Sequence, residues 1–208
     1  MSTSIHETCG FIKSRPGLDR PDIQLIGAPF SQVRRPNAGV GARFEFEPWH
    51  GMNVLGYQMR PESRGSIMIR SANPADSPII QPNYLTAEED CRTHVAMVRY
   101  VRELFKQAPL QPYLGDETLP GPDVQTDDEI LDRAKRIGST VFHAAGTCKM
   151  GQDSMAVVDP ALRVKGVSGL RVVDASVMPT LVSGNTNAAA MVIGWRGAEL
   201  ILQDAART

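Results

Sequence analysis

Along this chain the apolar residues change rhythm twice. In the first part they come in short blocks separated by proline, glycine and charge. ETCGFIKS (7–14), IQLIGAPF (23–30), MNVLGYQM (52–59) and SIMIRS (66–71) carry the β-branched, aromatic and alternating character of strands. RPGLDRPD (15–22) and RPESRG (60–65) supply turns between them. SQVRRPNAGVGAR (31–43) has no period and is expected to be a flexible loop. SANPADSPIIQPNY (71–84) is proline-rich and is predicted to run as an extended surface connection.

The second rhythm is helical. Val95, Val98, Val101, Leu104 and Phe105 recur at three- and four-residue spacing, and Thr86 with Glu89 forms a capping-box pattern ahead of a helix running to Gln107. Thr126 with Glu129 is a second such pattern. It opens DDEILDRAKRI, with acids first, bases last and Gly138 as the stop. The stretch between these helices, PLQPYLGDETLPGPD (109–123), reads as loop.

The last third combines both patterns. LRVKGVSGLRVVDAS (162–176) predicts two short strands about a glycine turn. From Asn187 the small and aliphatic residues predict a well-buried helix to the end of LVSGNTNAAAMVIGWRGAELILQDA. The fold class implied is α+β, an antiparallel sheet backed by helices, with a change of organisation near residue 140. No internal repeat or low-complexity segment interrupts it.

Composition narrows the function classes. Of 208 residues, 42% are hydrophobic and 22% charged, as in ordinary globular domains. The 22 basic and 23 acidic residues leave a net charge of −1, which argues against a nucleic acid or an anionic membrane held by bulk electrostatics. Arg34 and Arg35 form only a dipeptide, so they read as a solvated patch. Cys9, Cys91 and Cys148 are odd in number and far apart, which speaks against a disulfide framework or a metal site. MSTSIHETCGF lacks the basic-then-apolar plan of a secretory leader, and no apolar run reaches transmembrane length. The expectation is a cytoplasmic protein with no stable membrane insertion.

Three places carry possible chemistry. His143 lies in FHAAGTCKMG (142–151), where Ala144, Ala145 and Gly146 leave room for another molecule to approach the backbone. Histidine suits proton transfer near neutrality, although a lone histidine is more often a hydrogen-bonded turn residue. Asn185 and Asn187 stand at the start of the last helix in SGNTNAAAM (183–191), where capping is the plainer role. The same helix end presents N–H groups and partial positive charge to any developing anion. Asp174, in VVDAS (172–176), follows a strand-like run and suits either a loop cap or a hydroxylated ligand at a sheet edge.

Taken in order, FHAAGTCKMG, VVDPALRVKGVSGLRVVDASVMPT and SGNTNAAAMVIGWRGAELI resemble the C-terminal signature of the glucose–methanol–choline (GMC) oxidoreductase family. Upstream, GFIKSRPGLDRPDIQL and RPESRGSIMIRSANPADSPIIQPNYL are similar to the substrate domain of choline-dehydrogenase-like and alcohol-dehydrogenase members, so the resemblance spans nearly the whole chain. It implies FAD-dependent oxidation of an alcohol, with a hydride passing to flavin N5. By analogy His143 takes the hydroxyl proton and Asn185 orients the alcohol oxygen. The Asp174–Ala175 backbone and the Thr186–Asn187 region would touch the FAD, and Val141 with Phe142 would wall the substrate. Residues 1–140 would be the substrate-binding domain. Residues 141–208 would hold the active-site turn and the closing strand and helix of a Rossmann-like FAD-binding domain.

One departure accompanies that resemblance. The GxGxxG fingerprint of dinucleotide-binding members is absent, and the nearest pattern, NAGVGARF (37–44), lacks the third glycine and a βαβ context. The implied reading is the C-terminal part of a longer enzyme, or one subunit of a split one whose N-terminal FAD-binding half is a separate partner. The apolar surface of the closing segment would then await that half. The alternative from another class is a non-catalytic interaction module that binds no flavin. A third is a non-redox activity such as cyanohydrin cleavage, which the family also contains.

Overall fold

The computed structural model describes residues 6–32 and 45–206. The chain divides into two compact units. One comprises residues 1–65 and 82–141, the other residues 66–81 and 142–208.

In the first unit three antiparallel strands, β1 (Thr8–Ile12), β2 (Ile23–Ala28) and β3 (Asn53–Gln58), form a sheet with β2 central. The register pairs Ile12 with Ile23 and Ile23 with Gln58. The central strand carries the most buried residues. Ile23, Leu25 and the helix residue Met97 form a core ringed by Ile12, Val54 and Val101. Helix α1 (Glu88–Phe105) approaches β3 at Gly56, where an added Cβ would stand 2.4 Å from the Met97 sulfur. Helix α2 (Asp127–Ile137) packs on α1 through Val95, Val124 and Ile130. The loop before α2 contains only a short 3-10 turn at Gln111–Tyr113.

The two helices start in different ways. At α2 the expected capping box is present: Thr126 Oγ1 accepts from Glu129 N, and the Glu129 carboxylate accepts from Thr126 N. These bonds hold the Glu129 carboxyl below the usual carboxylate range. At α1 the expected Thr86–Glu89 box does not form. Leu85 adopts a left-handed backbone (φ 55°), the helix starts one residue later with Ala87 as N-cap, and Thr86 Oγ1 donates to Asn83 O. Glu89 instead pairs with Arg15 (2.5 Å) and with Arg92. The cap comes from far along the chain. Ser63 Oγ accepts from the N–H groups of Thr86 and Ala87 (3.1 and 3.0 Å), and buried Asp90 accepts from those of Glu62 and Ser63 (both 2.8 Å). A capping box is thus divided between a loop and a helix.

The second unit begins with a hairpin. β4 (Ser66–Met68) and β5 (Ile79–Gln81) pair with Ile67 opposite Ile80, and all six of these residues are exposed. The proline-rich stretch therefore doubles back as a strand instead of only connecting. Pro78 and Pro82 flank β5, outside its paired residues. Ser71 and Asn73 bond Asp76 and close the loop between the strands. The remaining core gathers Val158, Leu162 and Val177, with Ile193 and Leu200 packed against it from helix α3 (Asn187–Ala205). The two strands expected in 162–176 are reduced to an isolated bridge between Arg163 and Arg171. The arms still pair, Val164 N to Leu170 O at 2.9 Å, but left-handed Gly166 and Gly169 spend the intervening residues on the turn.

Helix α3 is not buried all round. Ile193, Gly197 and Leu200 face inward, while Met191, Val192, Trp195 and Leu202 are each more than 60% exposed. Its far end is held by Asp204, which accepts from Arg163 and Arg171. Among the described residues no helix is long and apolar enough to cross a membrane. Most of the 31–43 loop, with Arg34 and Arg35, and all of NAGVGARF lie outside the described residues.

The divided capping box makes a prediction. Asp90→Ala leaves two loop N–H groups without their acceptor and should lower unfolding stability by about 1–3 kcal/mol. Thr86→Ala should change it by less than about 0.5 kcal/mol, because that hydroxyl caps nothing. Denaturant titration of the two variants measures both values.

Candidate functional site

The histidine turn from Phe142 onward and the helix it faces lie in the second unit. Phe142 takes a left-handed backbone (φ 60°) and turns the chain into His143. Gly146 is also left-handed (φ 86°), and a Cβ there would come within 3.3 Å of Met178 O. The turn is then fixed by Cys148 N donating to Ser176 O (3.0 Å) and Met150 N donating to Val177 O (2.8 Å). Both acceptors belong to a short 3-10 turn, Ala175–Val177, with buried Val177 in the core. Asp174 caps that turn by accepting from Ser176 N at 2.7 Å. Hydrogen bonds from Ser176 hold the Asp174 carboxyl below its ordinary value.

Helix α3 supplies the opposing wall. It lies so close to Val173 that a Cβ at Gly197 would stand 2.2 Å from a Val173 methyl. Its first residues meet the histidine. His143 Nδ1 lies 2.9 Å from Thr186 Oγ1, and Nε2 lies 2.9 Å from Asn185 Nδ2. The ring is half-buried, whereas Asn185 is exposed. A ring nitrogen and a side-chain amide therefore stand side by side at an accessible edge.

The structure thus brings together His143, Asn185 and Thr186. Asn187 is the first residue of α3, and the N-cap is Thr186 rather than either asparagine. Asp174 and Ala175 begin the 3-10 turn that anchors the histidine turn. Val141 and Phe142 precede His143 with exposed side chains, Phe142 at 74%. Thr186 has a role that sequence reasoning missed: its hydroxyl lies on the histidine ring. The available signal was its place beside Asn185, since neighbours at a helix start can reach the same group.

The donor set suits a polar heteroaromatic cofactor with an acceptor edge. Thr186 makes no side-chain cap bond, so the first N–H groups of α3 are not closed by its own hydroxyl. Gly184 before it is left-handed (φ 136°), with nothing within 4 Å of where a Cβ would stand. These features fit a planar group approaching the backbone closely, with negative charge near a helix N-terminus. Among the described residues no cluster of His, Cys, Asp and Glu could hold a metal ion.

The GMC oxidoreductase family profile matches residues 61–194. The chain belongs to that family. It is similar to an alcohol dehydrogenase [acceptor] of Pseudomonas putida, 39% identical over 98% of this chain and 36% of the relative. It is also similar to human mitochondrial choline dehydrogenase, 43% identical over 96% of this chain and 33% of the relative. Among solved structures it resembles an FAD-dependent oxidoreductase from Chaetomium thermophilum, 33% identical, with a TM-score of 0.67 over 74% of this chain and 27% of that one. The chain therefore spans about a third of the length of these relatives.

Two outcomes are expected. Gly197→Ala forces a methyl into Val173 and should cost about 1–3 kcal/mol, measurable as a lower denaturation midpoint. The lowered Asp174 value means that its stabilising contribution is present above the unfolded carboxylate value and is lost as pH falls through the folded one. Asp174→Asn should flatten that acid limb, and thermal unfolding across the acidic range would reveal it.

Proposed function

We propose that these residues form the catalytic-histidine portion of an FAD-dependent enzyme that oxidises an alcohol, with His143 as the base. The supporting observation is the His143 ring placed at 2.9 Å from the Asn185 amide beside the start of α3. His143 Nε2 takes the hydroxyl proton. When substrate enters, the Asn185 amide turns from Nε2 to the hydroxyl oxygen and orients it. FAD, when bound, supplies the acceptor for the hydride that leaves the carbinol carbon. Asp174, Ala175, Thr186 and Asn187 are the residues assigned to holding it, with the N–H groups of α3 favouring negative charge on that side. Val141 and Phe142, next to His143 in sequence and exposed, are assigned to substrate contact.

The names of the relatives, alcohol and choline dehydrogenases, support a CH–OH donor as substrate class. In this reading residues 1–140 are the substrate-binding domain and 141–208 complete the cofactor region. The exposed Met191, Val192, Trp195 and Leu202 on α3 support packing against a dinucleotide-binding region of the kind the longer relatives have room for, in the same polypeptide or in a partner. The same exposed face also favours a second reading, a non-catalytic interaction module that binds no flavin.

Absorbance spectroscopy with added FAD, followed by alcohol, separates the two. The enzyme reading expects a protein-bound flavin spectrum, from this chain alone or with its dinucleotide-binding partner region, and bleaching by an alcohol. His143→Ala should then lower turnover by about two to four decades, the range for lost general acid–base catalysis, while flavin binding is retained. Unchanged turnover in that variant would remove His143 from the mechanism. Absence of bound flavin in the complete assembly would favour the interaction module.

A further inference from the structure

We propose that Thr186 is a positioning residue for His143: with the Asn185 amide facing Nε2, the Thr186 hydroxyl oxygen accepts the Nδ1–H proton and helps hold the ring in that tautomer. Its catalytic consequence rests on the reading of His143 as base. Its structural content does not.

The chemistry of the two contacts fixes the arrangement. An Asn amide nitrogen carries two hydrogens and offers no lone pair. Asn185 Nδ2 stands 2.9 Å from His143 Nε2, so Nε2 is the ring's acceptor. A neutral imidazole has a single N–H, which therefore lies on Nδ1. The atom 2.9 Å from Nδ1 is Thr186 Oγ1, which accepts it. With the proton on Nε2 instead, that N–H would point at the hydrogens of the amide. An unconstrained histidine side chain in water prefers that other tautomer, so the site works against the ring's own preference.

A second observation points the same way. At the N-cap of α3 a threonine hydroxyl would ordinarily accept from the helix N–H groups. Thr186 occupies that position, yet makes no cap bond. Its hydroxyl is given to the histidine 43 residues earlier. The branched side chain limits rotation about χ1, so the acceptor is held in place. Consecutive residues at one helix start thus engage both ring nitrogens. Rotation of the ring and migration of its proton are opposed together.

The test needs neither flavin nor substrate. In the chain labelled with 15N-histidine, long-range proton–nitrogen spectra at alkaline pH show which nitrogen of each neutral ring bears hydrogen. The wild-type His143 ring is expected to carry it on Nδ1. Thr186→Val, nearly isosteric, should shift the tautomer ratio toward Nε2–H by about five-fold, the population effect of one net hydrogen bond. Thr186→Ser should restore the wild-type ratio. Asn185→Ala removes the donor that opposes an Nε2–H and should also shift the ratio toward Nε2–H, and this variant decides the matter even if Thr186→Val does not fold. A wild-type ring protonated on Nε2, or a ratio equal to wild type in Thr186→Val or in Asn185→Ala, would each overturn the assignment. Failure of the flavin and turnover experiments would leave this result standing, so the two readings fail separately.

Discussion

The close approach of Val173 to Gly197 is the constraint on which the site depends. No side chain larger than hydrogen fits at that point of α3. The contact fixes how near the helix lies to the segment before the 3-10 turn, and Ile193 and Leu200 extend it to either side. The 3-10 turn in turn accepts the backbone N–H groups of Cys148 and Met150. One packed pair therefore sets the distance between a histidine on a loop and the start of a helix more than forty residues later in sequence. A hydrogen bond tolerates only a few tenths of an ångström of error in that distance. Packing in an interior that leaves few voids supplies such tolerance better than a loop could.

The electrostatic character of the site follows from the same arrangement. A helix start usually closes its own N–H groups with a side-chain oxygen. Here the side chain placed to do so turns to the histidine, and the residue before it does the same. The first N–H groups of α3 receive no cap from the Thr186 hydroxyl, and the dipole at that helix end favours negative charge. Local helix stability has been exchanged for polarity at a chosen spot. The pattern agrees with the general finding that sequences break a local rule where chemistry is done.

Much of this was legible beforehand, for reasons that differ from residue to residue. His143 stood out for its small neighbours and Asn185 for its place at a helix start, and it was the ordered run of family-like motifs that joined them. The Thr126–Glu129 box was legible because both partners lie within one turn. The Thr86–Glu89 pattern misled because a left-handed Leu85 moved the helix start by one residue, a backbone choice with no signature in side-chain periodicity. β5 was hidden by its prolines, which fall just outside the paired residues and so cost the ladder nothing. The expected strands in 162–176 shrank to a bridge because two left-handed glycines used the residues between them. The contact of the Thr186 hydroxyl with the His143 ring was hidden, because nothing in one dimension shows which way a hydroxyl turns.

The shared cap of α1 bears on the order of events when the chain folds. Ser63 and Asp90 are 27 residues apart, and the loop between them must close before either can serve the other. The first turn of α2 is closed by contacts within four residues of sequence. The first turn of α1 has no such autonomy, and its order is gained only after a non-local contact has overcome the entropy of loop closure. The entry to α2 is thus secured by local sequence, and the entry to α1 by the tertiary fold that the helix itself helps to build.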